Sequence, residues 1–163
     1  MTYYNLAYGS NMSLNRLLAR LPNAKRIGVA SVSGFVLTFD KQGFDDSGKC
    51  NALQTGRESD VLFGVLYQLN AHEKARLDEI EGVRYDCQNI QVQAQCGNIF
   101  DAYCYVANTL DKQLIPYDWY LKHVLTGAIE AQLPDVYIEK IRKQVTKIDS
   151  DRIRAKKEFS IYK

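Results

Sequence analysis

The stretch "YNLAYGSNM" (residues 4–12) places a strand-like segment directly before a short polar turn. Tyr4, Leu6 and Tyr8 would share one face of that strand, because successive strand side chains point to opposite faces. The turn over residues 9–11 (Gly-Ser-Asn) offers consecutive backbone N–H groups and small polar side chains. Such a turn either connects a strand to a helix or forms a concave, partly positive site for a carboxylate or a phosphate. The residues of the turn alone leave both interpretations open.

The rest of the chain contains both strand-like and helix-like segments. Strands, rich in β-branched and aromatic residues, are predicted over 26–39, 52–55, 61–69, 85–95 and 99–108. Helices are predicted over 14–21, 71–80, 117–132 and 134–147. Because strands dominate the first two thirds of the chain and helices the last third, we expect an α+β domain. A curved or barrel-like sheet with helices at its ends fits this order.

Local signals refine these predictions. Gly34 interrupts the long strand-like segment, so we expect one strand with a bend or bulge there. Residues 40–51 are polar and rich in glycine, which predicts a loop. Asn70 and Glu73 have the spacing of a capping box at a helix start. Gly82 lies just past the end of the same helix, where a residue with positive φ is expected.

The chain is expected to form one domain over residues 1–148, followed by a charged tail over 149–163. A length of 163 residues fits one domain with a substantial core. The final segment, "DSDRIRAKKEFSIYK", is rich in charge and is expected to be solvated.

Composition argues against several classes of partner. The formal net charge of +2 is too small to indicate nucleic acid or an acidic membrane surface. No apolar run approaches the roughly 18 residues that would suggest a membrane span. The amino terminus opens directly into the first strand without a secretory signal pattern, so we expect a cytoplasmic protein. The sequence shows no interface pattern, and the oligomeric state stays open.

The cysteines and histidines do not have the spacing of a metal site. His72 and His123 lie far apart, and none of the four cysteines falls in a CxxC pair. We therefore expect no bound metal. In a reducing compartment the cysteines are expected to be small core residues. They are Cys50, Cys87, Cys96 and Cys104.

Acidic residues are concentrated in "LDEIEGV" (residues 77–83), at the carboxyl end of a predicted helix. The helix dipole and partial burial would both raise the pKa of a carboxyl group there. A carboxylate with a raised pKa is suited to general acid–base catalysis near neutral pH. Glu79 and Glu81 could equally be solvent-facing side chains at a frayed helix end, and the segment alone does not decide between these interpretations.

The tyrosines and the nucleophilic side chains give further candidates. Eleven tyrosines is a high number, and Tyr105, Tyr117 and Tyr120 fall on or near elements that should cover a sheet end. Core packing is the default for each, and two or three are expected to line a pocket. Ser10 lies in G-S-N-M rather than G-x-S-x-G, and Cys50 has no marked base nearby. Neither is favoured as a nucleophile.

Two segments together, "YGSNM" at 8–12 and "DEIEGV" at 78–83, resemble the γ-glutamylcyclotransferase-like family. This family includes γ-glutamyl amine cyclotransferases and AIG2-like proteins. The strand "FGVLYQL" at 63–69 and the tyrosine-bearing hairpin and helix after it also agree with the family pattern. The resemblance covers roughly residues 3–145.

The resemblance implies a fold and a set of site residues. It implies a barrel-like mixed β-sheet with flanking helices, and release of 5-oxoproline from γ-glutamyl compounds without a metal or cofactor. Glu81, which precedes Gly-Val, matches the family's catalytic acid/base, whereas Glu79 does not. Tyr85 is a weaker match to a pocket tyrosine. The implied substrate-binding residues are Asn5, Leu6, Ala7, Tyr8, Gly9, Ser10, Asn11, Tyr105 and Tyr120. The chain departs from the family pattern at Asn5, where an aromatic residue can stand, and in a short segment after "EGV".

The leading hypothesis is an enzyme that acts on a small γ-glutamyl amine or γ-glutamyl amino acid. Such a substrate carries its own nucleophile, the α-amine, so neither a cofactor nor a protein nucleophile is needed. One alternative is a non-catalytic small-molecule binding domain of the same fold. Another is a γ-glutamyl hydrolase, in which water would have to outcompete the tethered amine. The leaving amine is not identified by the sequence.

Overall fold

Seven strands form two sheets in a computed structural model that describes residues 1–163. The strands are β1 (Thr2–Ala7), β2 (Lys25–Ser33), β3 (Phe35–Gln42), β4 (Gly48–Gln54), β5 (Val61–Asn70), β6 (Tyr85–Ala94) and β7 (Ile99–Ala107). Five of them close into a barrel in the order β1-β5-β2-β6-β7, while β3 and β4 form a separate antiparallel pair. The barrel is mixed because β1 and β7 are parallel where they meet, at Asn5 and Tyr103.

Helices flank this barrel. They are α1 (Leu14–Arg20), α2 (Ala71–Glu81), α3 (Asp118–Glu130), α4 (Asp135–Arg142) and α5 (Arg152–Phe159), with short 3₁₀ turns at Ser10–Met12 and Ser160–Tyr162. The predicted α+β class with a barrel-like mixed sheet and flanking helices is confirmed. None of these helices has both the length and the apolar character that would be needed to cross a membrane.

One continuous hydrophobic cluster joins the barrel to the helices. Leu6 on β1, Leu66 on β5 and Val92 on β6 are almost fully buried in it. Val124 on α3 belongs to the same cluster, so this helix packs directly on the core. Burial of each such aliphatic side chain contributes about 1.5–3 kcal/mol. The core therefore holds α3 against the barrel that contains β1.

The predicted single strand over 26–39 is wrong. Gly34 has a φ of +86°, a conformation that glycine adopts easily, and it separates β2 from β3. The first of these strands belongs to the barrel and the second pairs with β4. The predicted loop over 40–51 is also too long, because β3 continues to Gln42 and β4 begins at Gly48.

The cysteine prediction is partly wrong. Cys50 and Cys104 are buried, as expected of small core residues, but Cys87 and Cys96 are exposed. Cys87 lies on an outward-facing position of β6, and Cys96 lies in the turn that joins β6 to β7. All four thiols are free.

The start and end of α2 agree with the sequence signals. The Asn70 side chain accepts a hydrogen bond from the Glu73 N–H at 2.9 Å, and the Glu73 carboxylate accepts one from the Asn70 N–H at 3.2 Å. This capping box is confirmed. Gly82, directly after the helix, has a φ of +72° and turns the chain away from the helix axis. The last residue of α2, Glu81, is thereby held at a defined helix end.

The expectation of a solvated tail is partly wrong, because the C-terminal residues 149–163 contain α5 and pack on the rest of the chain, although residues 150–153, 156 and 157 are exposed. Asp149 accepts hydrogen bonds from Trp119 Nε1 at 2.8 Å and from Arg154 Nε at 2.6 Å. Asp149, Arg154 and Glu158 have partners on α1, on α3 or within the segment, which the local sequence does not reveal. The domain boundary at residue 148 stays a prediction.

A buried polar network attaches α5 to α1 and α3. His123 is fully buried, and its Nε2 atom lies 2.8 Å from the Glu158 carboxylate. Arg16 donates a 2.6 Å hydrogen bond to the same carboxylate oxygen. The Tyr162 hydroxyl lies 2.5 Å from His123 Nδ1. Hydrogen bonding of buried charges in this way compensates for the free energy of their desolvation.

We expect Glu158→Gln to be less sensitive to acid than the wild type. Burial raises the pKa of Glu158, but the hydrogen bond from His123 and the charge of Arg16 outweigh it and lower that pKa from 4.5 to about 2. A depressed pKa contributes stability above the unfolded value, and that contribution is lost as the pH falls from about 4.5 towards 2. Urea unfolding midpoints at about pH 6 and about pH 3 test this. An equal fall in the urea midpoint between the two pH values in the wild type and in Glu158→Gln would contradict this prediction.

Candidate active site

A cavity opens where β1 ends and the 3₁₀ turn at residues 10–12 begins. It contains about 350 Å³ of space between the protein atoms, including its open mouth. Its lining residues come from the first strand and turn, from β4, from the end of α2, from β6 and β7, and from α3. They are Asn5, Ala7, Tyr8, Gly9, Ser10, Asn11, Cys50, Glu81, Tyr85, Tyr105 and Tyr120. The two segments singled out in the sequence therefore meet in one cavity.

The turn after β1 presents backbone N–H groups that have no acceptor within the protein. The amides of Tyr8 and Gly9 make no backbone hydrogen bond, while the Gly9 carbonyl accepts one from Met12 N at 3.1 Å. A Cβ atom on Gly9 would lie 2.9 Å from Cys50 Cβ, so the absence of a side chain lets the turn approach β4. Free amides at such a turn can bind a carboxylate or an oxyanion.

Glu81 points into the cavity, whereas Glu79 is exposed on another face of α2. The Glu81 side chain is 15% exposed. Asn11 Nδ2 donates a 2.8 Å hydrogen bond to Glu81 Oε1, and Arg20 NH1 lies 4.0 Å from the same oxygen. Burial raises the pKa of Glu81 above its ordinary value, although Arg20 and Asn11 lower it in part. The structure thus places a partly desolvated carboxyl group beside the turn.

Tyrosines form much of the cavity wall, and their hydroxyls are tied to backbone atoms. Tyr8 Oη donates to the Tyr105 carbonyl, and Tyr85 Oη donates to the Cys50 carbonyl at 2.5 Å. Tyr120 Oη accepts a hydrogen bond from the Cys50 N–H at 2.9 Å. Burial raises the pKa of Tyr8, Tyr85 and Tyr120 well above the ordinary value, so these phenols stay protonated at neutral pH. The wall is therefore rigid and uncharged.

Tyr105 links the cavity wall to α2. Its hydroxyl donates a 2.6 Å hydrogen bond to Asp78, which also forms an ion pair with Lys74 at 2.7 Å. Asp78 lies three residues before Glu81, and residues at this spacing share one face of a helix. The bond between Tyr105 and Asp78 therefore fixes the rotation of α2 that directs Glu81 into the cavity.

A buried lysine adds positive charge near the carboxylate. Lys41 on β3 is 5% exposed, and its Nζ atom lies 4.4 Å from the centre of the Tyr85 ring. The charges of Arg20 and Lys41 both lower the pKa of Glu81. Two cations around one carboxylate favour a ligand with a negative charge. No group of three or more His, Cys, Asp or Glu side chains in the structure is arranged to hold a metal ion.

The structure brings together nearly all of the sequence-predicted site residues. Leu6 is the exception, because it points away from the cavity into the core, whereas its neighbours Asn5 and Ala7 line the cavity. Tyr117 is not part of the lining, and its hydroxyl donates instead to the Asp45 carbonyl at 3.0 Å. The roles of the lining residues towards a substrate stay predictions.

Sequence reasoning missed part of the lining. Cys50 falls in the predicted loop over 40–51, but it lies on β4 and forms the wall opposite Gly9. Tyr85, a weaker candidate, is a full member of the lining. Recognition of β4 as starting at Gly48 would have placed Cys50 in a strand, but the glycine-rich segment before it obscured that start.

Comparisons with known proteins agree with this arrangement. A family model described as the AIG2-like family matches residues 61–141. The chain is 31% identical over 147 residues to the γ-glutamylcyclotransferase of Mus musculus, which covers 86% of this chain and 78% of the mouse protein. The chain belongs to the γ-glutamylcyclotransferase family. The resemblance noted in the sequence is thus confirmed.

Solved structures with a similar fold also support this family assignment. A structure named gamma-glutamyl cyclotransferase superposes with a TM-score of 0.83 at 26% identity, covering 96% of this chain and 99% of the other. An uncharacterized protein from Homo sapiens superposes with a TM-score of 0.87 at 26% identity, covering 99% of both chains. The family's fold therefore extends over nearly the whole chain.

We expect Gly9→Ala to lower kcat/KM for a γ-glutamyl substrate. The new Cβ would lie 2.9 Å from Cys50 Cβ and 3.2 Å from Cys50 Sγ, so the turn must move away from β4. Overpacking of this kind costs about 1–3 kcal/mol, which corresponds to a loss of roughly 5- to 150-fold if it falls on the reactive geometry. The double variant Gly9→Ala/Cys50→Gly removes the clash and should recover part of the activity. Wild-type kcat/KM in Gly9→Ala would contradict the proposed close contact.

Proposed function

We propose that the protein is a γ-glutamylcyclotransferase that converts a γ-glutamyl amine or γ-glutamyl amino acid to 5-oxoproline and the free amine. One observation carries this proposal: Glu81 lines the same cavity as Tyr8 and Gly9, whose backbone amides donate no backbone hydrogen bond. Similarity in sequence and structure to proteins named γ-glutamylcyclotransferase supports the same reaction.

The reaction is a ring closure within the substrate. The α-amine nitrogen attacks the γ-carbonyl carbon, a five-membered lactam forms, and the bond from that carbon to the leaving nitrogen breaks. Well-oriented attack within one molecule has an effective molarity of about 10⁵–10⁸ M. The main task of the protein is then to hold the two ends of the glutamyl group close together, which the narrow tyrosine-walled cavity suits.

Glu81 is proposed to transfer the proton. The α-amine must lose a proton before or during attack, and the leaving nitrogen must gain one. A single carboxylate can take the first proton and give it to the leaving group, so no net proton is consumed. Its pKa, raised by burial, brings this carboxyl group nearer to neutral pH than an exposed glutamate.

The amides of the turn are proposed to stabilise negative charge on the substrate. Fixed N–H donors stabilise the oxyanion that develops at the γ-carbonyl, and they are equally suited to the substrate's α-carboxylate. Both roles use the same feature, the free N–H groups of Tyr8 and Gly9. The positive charge of Arg20 and Lys41 also favours an anionic substrate.

Product identity tests the proposal. The purified protein is incubated with γ-glutamyl amino acids, a γ-glutamyl amine and γ-glutamyl-ε-lysine, and 5-oxoproline, glutamate and free amine are quantified. We expect 5-oxoproline with at least one member of this panel. Glutamate instead of 5-oxoproline would indicate a hydrolase. Binding without turnover across the panel would favour the non-catalytic binding domain, although a buried carboxylate is unfavourable for an anionic ligand that is only bound.

A further inference from the structure

We propose that Arg20 is a positioning residue: its guanidinium fixes the side-chain amide of Asn11 in the orientation that donates to Glu81. This inference rests on the proposed function, since it assigns a role in the same site. Arg20 lies outside the cavity lining and outside the segments that carry the family resemblance.

The geometry forms a chain of two hydrogen bonds. Arg20 NH1 donates to Asn11 Oδ1 at 3.1 Å, and Asn11 Nδ2 donates to Glu81 Oε1 at 2.8 Å. Arg20 is only 4.0 Å from the same oxygen of Glu81, too far for a direct hydrogen bond. The amide of Asn11 therefore bridges the guanidinium and the carboxylate.

The donors and acceptors of Arg20, Asn11 and Glu81 allow only one orientation of the Asn11 amide. A guanidinium has only N–H donors, whereas an asparagine amide has a donor end and an acceptor end. With Arg20 on one side, Asn11 Oδ1 must face the guanidinium and Nδ2 must face Glu81. Without Arg20, the amide could rotate and place its oxygen against the carboxylate, which would repel it.

The bridge joins elements that are distant in sequence. Arg20 is the last residue of α1, Asn11 lies in the 3₁₀ turn, and Glu81 is the last residue of α2. Arg16, one helical turn before Arg20, is held by Glu158 through a 2.6 Å hydrogen bond. The buried network of α5 thereby supports the helix that carries Arg20.

Arg20 also contributes charge to the site. The charged groups that act on Glu81 are Arg20 and Arg16 from α1 and Lys41 from β3, and all three lower its pKa. The other titratable groups that line the cavity are neutral at pH 7, because burial raises their pKa values; they are Tyr8, Tyr85, Tyr105, Tyr120 and Cys50. Removal of Arg20 therefore takes away both the nearest cation and the hydrogen bond that holds Asn11. Both losses raise the pKa of Glu81.

The test compares Arg20→Met, Arg20→Lys and the control Arg57→Met, whose arginine side chain is 71% exposed and is not part of the cavity lining. In Arg20→Met we expect kcat to fall about tenfold with a smaller change in KM, because a hydrogen bond to a charged group is lost. The acid limb of kcat/KM should move up by about one pH unit. Arg20→Lys keeps the charge, but its ammonium ends one bond short of the position of NH1, so the hydrogen bond to Asn11 is lost. We therefore expect kcat to fall and the acid limb of kcat/KM to move up by less than in Arg20→Met.

A measurement without turnover separates this inference from the proposed function. The pKa of Glu81 is followed by ¹³C NMR of protein labelled at glutamate side chains, with Glu81→Gln as the assignment control. We expect the pKa of Glu81 to rise in Arg20→Met and to stay unchanged in Arg57→Met. An unchanged pKa in Arg20→Met would overturn the positioning role. If Arg20→Met does not fold, wild-type kcat in Arg20→Lys overturns it. Failure of the wild type to release 5-oxoproline would contradict the proposed function alone.

Discussion

Glu81→Gln is expected to lower kcat by at least about 10²-fold, the lower range for loss of a general acid–base group. Glutamine has nearly the same shape as glutamate and can still accept the hydrogen bond from Asn11, so the cavity should keep its form. It cannot carry a proton from the α-amine to the leaving nitrogen. Steady-state kinetics of 5-oxoproline release measures this loss.

The matched control is Glu79→Gln. Glu79 lies two residues earlier on α2, and its side chain is exposed. We expect wild-type kcat and KM in this variant, because Glu79 does not line the cavity. Circular dichroism should show the same fold in both variants. Near-wild-type turnover in Glu81→Gln, or an equal loss in Glu79→Gln, would remove Glu81 from the mechanism.

Gly127→Ala is expected to cause a large loss of stability. This glycine lies where α3 packs on the 3₁₀ turn, and a Cβ atom there would lie 2.4 Å from Ser13 N and 2.5 Å from Met12 Cβ. The contacts involve backbone atoms, which cannot move independently of the turn. Overpacking in a buried site costs about 1–3 kcal/mol, and occasionally more. Urea unfolding should show a lower midpoint, and kcat should fall too because Asn11 directly precedes Met12.

Ile129→Ala on the same helix is the control for this prediction. Ile129 is 48% exposed, so its truncation leaves the packing of α3 on the turn intact. Surface substitutions usually change the free energy of unfolding by less than about 0.5 kcal/mol. A Gly127→Ala variant as stable as Ile129→Ala would contradict the close packing of α3 on the turn.

Features set by neighbouring residues could be predicted from the sequence. The capping box of Asn70 and Glu73 is encoded within four residues, and the β6–β7 hairpin within one short turn. The division of residues 26–39 into two strands at Gly34 could not be predicted in the same way. It depends on β2 pairing with β5 while β3 pairs with β4, and such partner choices are not visible in local propensity.

The packing of the C-terminal segment, residues 149–163, could not be predicted from local sequence either. Its charges indicate solvent exposure when they are considered alone. In the structure Glu158 meets Arg16, which lies 142 residues earlier, and His123, which lies 35 residues earlier. A charged residue becomes buried only when its partner is brought to it by the fold, so composition cannot reveal this network.

The candidate site also contains residues that the sequence could predict and residues that it could not. The turn of residues 8–11 and Glu81 could be predicted because a family motif contains both. Cys50 and Arg20 could not, since each acts through a contact with the turn and neither belongs to a motif. Side chains that support a reactive group are selected by geometry, and many residue types could provide that geometry in another sequence.

Turnover in H₂¹⁸O tests most directly whether the Glu81 cavity catalyses ring closure within the substrate. A γ-glutamyl amino acid that proves to be a substrate is incubated with the wild type and with Glu81→Gln, and the products are analysed by mass spectrometry. We predict that the wild type releases 5-oxoproline without ¹⁸O, in equal amount to the free amino acid, and that Glu81→Gln releases at least about 10²-fold less. Glutamate labelled with ¹⁸O as the first product would contradict this account, because oxygen from water enters only when water attacks the γ-carbonyl.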